Sequence, residues 1–147
     1  MMKKHIFAFI LTMGLVLSLL TACGDEKKEI YLTADNLEEY FIITCNVSTK
    51  PTDDWFGENE GWKTANYTVE VKKLKDVTLN DVKFDVIFEI ESSDAMPAPE
   101  GLRTVSVRLP LDGNAYETGS SGAMWFIKPT GYTVTYKNVR GSVTENK

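Results

Sequence analysis

Val82-Lys83-Phe84-Asp85-Val86-Ile87-Phe88-Glu89-Ile90 is the stretch whose reading decides the fold. Val82, Phe84, Val86, Phe88 and Ile90 recur every second residue, with Lys83, Asp85, Ile87 and Glu89 between them. A period of two places the first set on one face of an extended chain. That face must be buried, so the segment reads as a half-buried β-strand.

The same period recurs on both sides. Upstream, Phe41, Ile43, Cys45 and Val47 alternate within a strand expected over Phe41–Ser48. Tyr67, Val69 and Val71 alternate with Thr68, Glu70 and Lys72 in a second, Trp62–Leu74. Downstream, Leu102–Leu109 turns Val105, Val107 and Leu109 inward, and Pro110 ends it. Met124–Ile127 is a further strand, Tyr132, Val134 and Tyr136 form the next face, and Val139–Val143 closes the domain.

Turn chemistry separates these runs. Lys75-Asp76 marks a turn, and Asp112-Gly113 is a two-residue hairpin signal. Gly119-Ser120-Ser121-Gly122 reads as a flexible tip, and Lys128-Pro129-Thr130-Gly131 turns the chain again. Before the first strand, residues 33–40 suggest one helical turn, with Asp35 and Glu38 at capping-box spacing.

Roughly six to eight short strands in about 115 residues, with no crossover helices, point to an all-β sandwich. Each strand has one apolar face, which two packed sheets would bury. An immunoglobulin-like or fibronectin-like arrangement is expected, and a small open barrel is the alternative. The immunoglobulin disulfide is absent, because residues 132–136 hold no cysteine to pair with Cys45.

The first residues set an address. Met1-Met2-Lys3-Lys4-His5 is cationic, and Ile6–Leu20 follows as 15 residues without charge. This is the layout of a secretory signal, short of the ~20 residues a permanent span needs. Leu20-Thr21-Ala22-Cys23 ends it: an aliphatic residue, two small ones, then cysteine. The pattern resembles the lipobox of bacterial lipoproteins, in which a thiolate takes a diacylglyceryl group as a thioether. Cys23 is therefore the expected lipid attachment site and first mature residue. The organisation that follows is a signal peptide over 1–22, a lipidated tether over 23–29, and a β-sandwich domain over 30–147.

Residues 30–41, Ile30-Tyr31-Leu32-Thr33-Ala34-Asp35-Asn36-Leu37-Glu38-Glu39-Tyr40-Phe41, are similar to the opening of uncharacterised lipoproteins of Gram-positive bacteria. Those carry a Thr-x-x-Asn-x-x-x-Tyr-Phe pattern before a single β-rich domain, and Thr33, Asn36, Tyr40 and Phe41 match it. Asn138–Val143 resembles their closing strand. The resemblance implies a cell-surface β-domain and carries no activity with it.

Charge and composition narrow the function. Loss of 1–22 removes Lys3, Lys4 and His5, leaving 14 basic against 21 acidic residues, a formal charge of −7. Such a surface argues against nucleic acid, which needs a basic footprint. A mature chain without histidine lacks serine–histidine or cysteine–histidine pairs and the usual zinc ligands. No catalytic residue, metal or cofactor is therefore expected, and the chain is read as a non-enzyme. With Cys23 lipidated, Cys45 is the odd cysteine, and its place on an apolar face makes it a small buried hydrophobe.

Two features of the 53–62 segment carry a binding reading. Asp53, Asp54, Glu58, Asn59 and Glu60 supply oxygens, but not at the spacing of a helix–loop–helix calcium loop, and a solvated turn explains them. Trp55, Phe56 and Trp62, if exposed together, would stack on a sugar ring or anchor a protein partner. If folded back, they would plug an open end of the sandwich. The expectation is a membrane-anchored binding module engaging an envelope protein or wall glycan. The alternative is a structural or accessory subunit of a cell-envelope complex. An unpaired edge strand would favour the second, through strand addition.

Overall fold

The computed structural model describes residues 27–51, 62–91, 100–125 and 131–146. Among these residues seven strands appear in chain order: β1 Glu29–Tyr31, β2 Phe41–Pro51, β3 Trp62–Lys73, β4 Val77–Glu91, β5 Thr104–Arg108, β6 Ala115–Trp125 and β7 Gly131–Glu145. They form two separate antiparallel sheets, ordered β1-β7-β4-β5 and β2-β3-β6. This is a β-sandwich, not a closed barrel. The division into four and three strands is that of constant-type immunoglobulin domains. The order differs, since the last strand here lies between the first and the fourth.

The core forms where the period of two predicts it. Val82, Phe84, Val86 and Phe88 of β4 are buried against Tyr67, Val69 and Val71 of β3 and Val105 and Val107 of β5. Tyr67 stacks on Phe88 across the two sheets, with ring centroids 4.8 Å apart. Each such side chain contributes roughly 1.5–3 kcal/mol through burial, which is why β4 is the axis of the fold. The Tyr67 hydroxyl is held above its ordinary pKa by burial, offset in part by a hydrogen bond with Ser121.

β4 and β7 are longer than their patterns suggest, for one shared reason. Each carries an extra residue with positive φ: Asp81 (43°) in β4 and Asn138 (52°) in β7. Register runs Asn80↔Ser142, Lys83↔Arg140, then Asp85↔Lys137, so the two β-bulges offset one another and the pairing recovers. A bulge reverses side-chain parity along its strand. On the core face, Val77 and Leu79 are buried at odd positions, and Val82, Phe84, Val86 and Phe88 at even ones. Asn and Asp tolerate the left-handed region better than other non-glycine residues. Gly141 stands opposite at φ 100°, where a Cβ would lie 2.6 Å from the carbonyl oxygens of Asn80 and Asp81.

Three local expectations are corrected. Asp112-Gly113 does turn the chain, with the Gly113 N–H donating to the Pro110 carbonyl at 2.9 Å. It joins β5 to β6, which lie in different sheets, so it crosses the sandwich instead of closing a hairpin. Gly119-Ser120-Ser121-Gly122 is not a tip but the interior of β6. There Ser121 and Gly122 stand opposite Ala65 in a third bulge. The Ala65 N–H donates to the buried Ser121 hydroxyl at 3.0 Å. The helical turn is a single 3-10 turn, Leu37–Glu39, whose N-cap is Asn36 without a side-chain cap. The Asn36 side chain instead accepts from the Thr33 N–H at 2.8 Å and donates to the Tyr31 carbonyl.

The strands give the molecule two unlike ends. β1 begins, and β7 finishes, at one end, where Glu29 pairs with Thr144 and Val77 with Glu145. The β3–β4 and β5–β6 turns lie there too, since Gly113 abuts Lys73 and Leu79. At the other end β2, β4 and β6 finish, and β3 and β7 begin.

Candidate functional site

Among the described residues the two sheets end in β1, β5, β6 and β2, and three of these edges are blunted in ways that discourage pairing. β1 has three residues and follows Lys27 and Lys28. β5 has five, preceded by Arg103 and ending on Arg108. β6 carries the glycine-rich bulge. β2 confines such devices to its last two residues, Lys50 and Pro51. It is eleven residues long, pairs with β3 without a register shift, and holds no charged residue from Phe41 to Thr49.

The direction of its backbone groups follows from one bond. The Leu74 N–H donates to the Tyr40 carbonyl at 2.8 Å, so Tyr40 and Leu74 are a hydrogen-bonded pair. Antiparallel pairs alternate between bonded and non-bonded. Even-numbered residues of β2 therefore serve β3. Phe41, Ile43, Cys45, Val47 and Thr49 turn their N–H and C=O groups away from it, toward the open side.

β7 faces the same opening. Phe88 and Leu109 N–H groups donate to the Arg103 and Val82 carbonyls, each at 2.9 Å, so even residues of β4 serve β5 and odd ones serve β7. Glu89↔Thr133 and Ile87↔Thr135 are then the bonded pairs. The backbones of Tyr132 and Val134 consequently look outward beside β2. β1 covers β7 only at its last residues, pairing with Ser142–Thr144.

Side chains bridge this seam where backbone does not. The Tyr132 hydroxyl donates to the Cys45 carbonyl, one of the outward-facing groups of β2. The Tyr136 hydroxyl donates to Glu38 Oε1 at 2.7 Å, tying β7 to the 3-10 turn before β2. Burial first, then the Glu38 bond and charge, push the Tyr136 phenol up. Ile43, Cys45, Val47, Ile90, Val134 and Tyr136 line the seam only partly buried. The Cys45 thiol is pushed up to about 11, by burial first and then by Glu38. It is a packing group with little thiolate at neutral pH, as its place on an apolar face implies.

Of the residues singled out in the sequence, Cys23, Trp55 and Phe56 lie outside the described residues, as do the acids of the 53–60 segment. Trp62 is described as the first residue of β3, in register with Trp125 of β6. The seam residues Tyr132, Tyr136 and Glu38 figure in the sequence only as a strand face and a helix cap, not as site residues. The tyrosine alternation signalled a buried face, and the hydroxyl ends reaching past it carry no sequence signature. Lack of charge between Phe41 and Thr49 was the available clue to the edge.

Among the described residues, no helix is long and apolar enough to cross a membrane, and no group of three or more His, Cys, Asp and Glu is placed to hold a metal ion. Compared with protein-family models, with curated proteins and with solved structures, the chain finds no match in any of the three.

Proposed function

We propose that this chain is a lipoprotein anchored outside the cytoplasm through Cys23, and that its sandwich is an interaction module. It works as an accessory subunit of an envelope complex, taking an extended segment of a partner protein onto the free edge of β2. The observation that carries this reading is the edge itself: long, uncharged from Phe41 to Thr49, without a bulge, with five residues turning backbone groups to the open side. Strand addition supplies affinity through main-chain hydrogen bonds and specificity through alternate side chains. The half-buried Ile43, Val47 and Val134 offer that side-chain contact. The Tyr132 hydroxyl occupies one acceptor, the Cys45 carbonyl, and a partner strand would displace it.

A second reading rests on Trp62 standing opposite Trp125, next to the segment that holds Trp55 and Phe56. Indole rings, if exposed, would suit a wall glycan, whose sugar rings stack on them.

The test is capture from cell envelopes with the wild-type protein and Thr49→Pro. Thr49 points its N–H to the open side, so proline removes one outward donor and leaves the ladder to β3 intact. Capture that survives Thr49→Pro at full strength rejects the β2 edge. Loss of capture on Trp62→Ala, with Thr49→Pro neutral, favours the glycan reading. The anchor is checked separately: Cys23→Ser should leave the membrane and lose the lipid mass.

A further inference from the structure

Seven large apolar side chains are exposed among the described residues, and they are not spread evenly. Five stand at or near the end where β1 begins: Tyr31, Ile42, Leu74, Leu111 and Tyr116. Leu111 is 83% exposed and Leu74 53%, each on a turn that joins the two sheets. The two turns adjoin, because a Cβ on Gly113 would lie 2.9 Å from Lys73 Cβ. Leu74 is placed there by its N–H bond to the Tyr40 carbonyl, and Lys75 lies over the Tyr40 ring at 4.5 Å. The end thus carries apolar tips, with Lys73, Lys75, Asp76 and Asp112 around them.

The chain entering at this end limits what can cover it. Glu29 is already paired with Thr144, so only residues 23–28 separate the fold from Cys23. Six residues span at most about 20 Å when fully extended. A lipid on Cys23 would hold the β3–β4 and β5–β6 turns within that distance of the bilayer.

We propose that the Leu74 and Leu111 turns dock on the bilayer surface, so that the domain stands upright with β2 running away from the membrane. This inference rests on lipidation at Cys23. Apolar tips at the boundary between headgroups and acyl chains gain from burial, and tyrosines favour that same layer. Lys72 and Lys75 can lay their apolar stems along it while their ammonium groups stay in water. The contact is apolar first, which suits a domain whose formal charge is negative. It also directs the Pro51 and Trp62 ends of β2 and β3 toward the cell exterior.

The test uses the full lipidated chain in phosphatidylcholine vesicles, in a Cys45→Ser background. An environment-sensitive label goes on Lys75→Cys, or on Glu91→Cys at the opposite end. Quenchers are placed either on the lipid chains or in water. The label at 75 should be quenched from the lipid and protected from the aqueous quencher, and the label at 91 should behave oppositely. Leu74→Ser with Leu111→Ser should abolish lipid quenching at 75 while the protein still floats with the vesicles. Equal aqueous quenching at 75 and 91 in floating protein overturns the docking. Failure to float, with Cys23→Ser indistinguishable from wild type, overturns the anchor instead.

Discussion

The sandwich has two long seams, and they are closed by different means. Where β5 meets β6, backbone approaches side chain: a Cβ on Gly119 would lie 3.0 Å from Val105 Cγ2 and 3.5 Å from the Thr104 carbonyl oxygen. Where β2 meets β7, two backbones stay apart and tyrosine hydroxyls span the gap. The first seam is filled by leaving atoms out, the second by long side chains with polar tips. A filled seam resists entry. A bridged seam exchanges its bridge for a better partner at the cost of one or two hydrogen bonds.

The largest effect is expected at the closed seam. Gly119→Val places atoms where Val105 already sits, and overpacking of this kind costs about 1–3 kcal/mol. Urea denaturation should show a lower midpoint with an unchanged slope. An unaltered midpoint would mean that the close approach does not hold the sheets together.

Removing the bridge should cost less. Tyr132→Phe deletes one hydrogen bond and leaves the ring, a loss of about 0.5–1.5 kcal/mol. Faster hydrogen exchange at the amides of Ile43, Cys45 and Val47, with little change in β5, would place the loss at the open seam. Partner capture by this variant should rise, since the Cys45 carbonyl is then free.

Alkaline pH tests the same seam without a substitution. The folded Cys45 thiol, pushed up to about 11, and the raised Tyr136 phenol are harder to ionise in the fold than in the unfolded chain. The thiol's contribution is full below its ordinary value and is lost as pH rises through about 11, while the raised phenol keeps its own to higher pH. Melting temperature should therefore fall over that interval, and Cys45→Ala should flatten the decline. A fall no shallower in Cys45→Ala would remove the thiol from the account.

The smallest effect on stability is expected from Asn46→Lys, on the exposed face of β2. It should change stability by less than about 0.5 kcal/mol. Sedimentation at high concentration should nonetheless show less self-association than wild type, because a charge now guards the edge. Equal association would mean that β2 is not the sticky edge.

Much of this fold was legible because burial writes a period of two into β3, β4 and β5. The bulges hid the rest. Asn138 splits the alternation of β7, so Tyr132–Tyr136 and Val139–Val143 read as separate strands when they are one. Asp81 does the same to β4, and Val77 and Leu79 drop out of phase. Gly119–Gly122 has the composition of a loop, yet small residues are what a bulged strand at a close approach requires. At the candidate site, the uncharged run of β2 was visible, while its place at an edge was not. Edge position depends on which strands pair, and that is settled by contacts distant in sequence.

The pairing of Glu29 with Thr144 has a mechanical consequence. A membrane tether of the kind proposed at Cys23 would pull on the first strand of the fold, with a partner on β2 resisting from the far side. Such a load runs along β1, across hydrogen bonds that lie perpendicular to it. The three pairs from Glu29 to Tyr31, and the Ser142 hydroxyl on Glu29, then bear the force together in shear instead of opening one at a time. A strand of three residues would thereby be enough to pass tension from such a tether into the body of the sandwich.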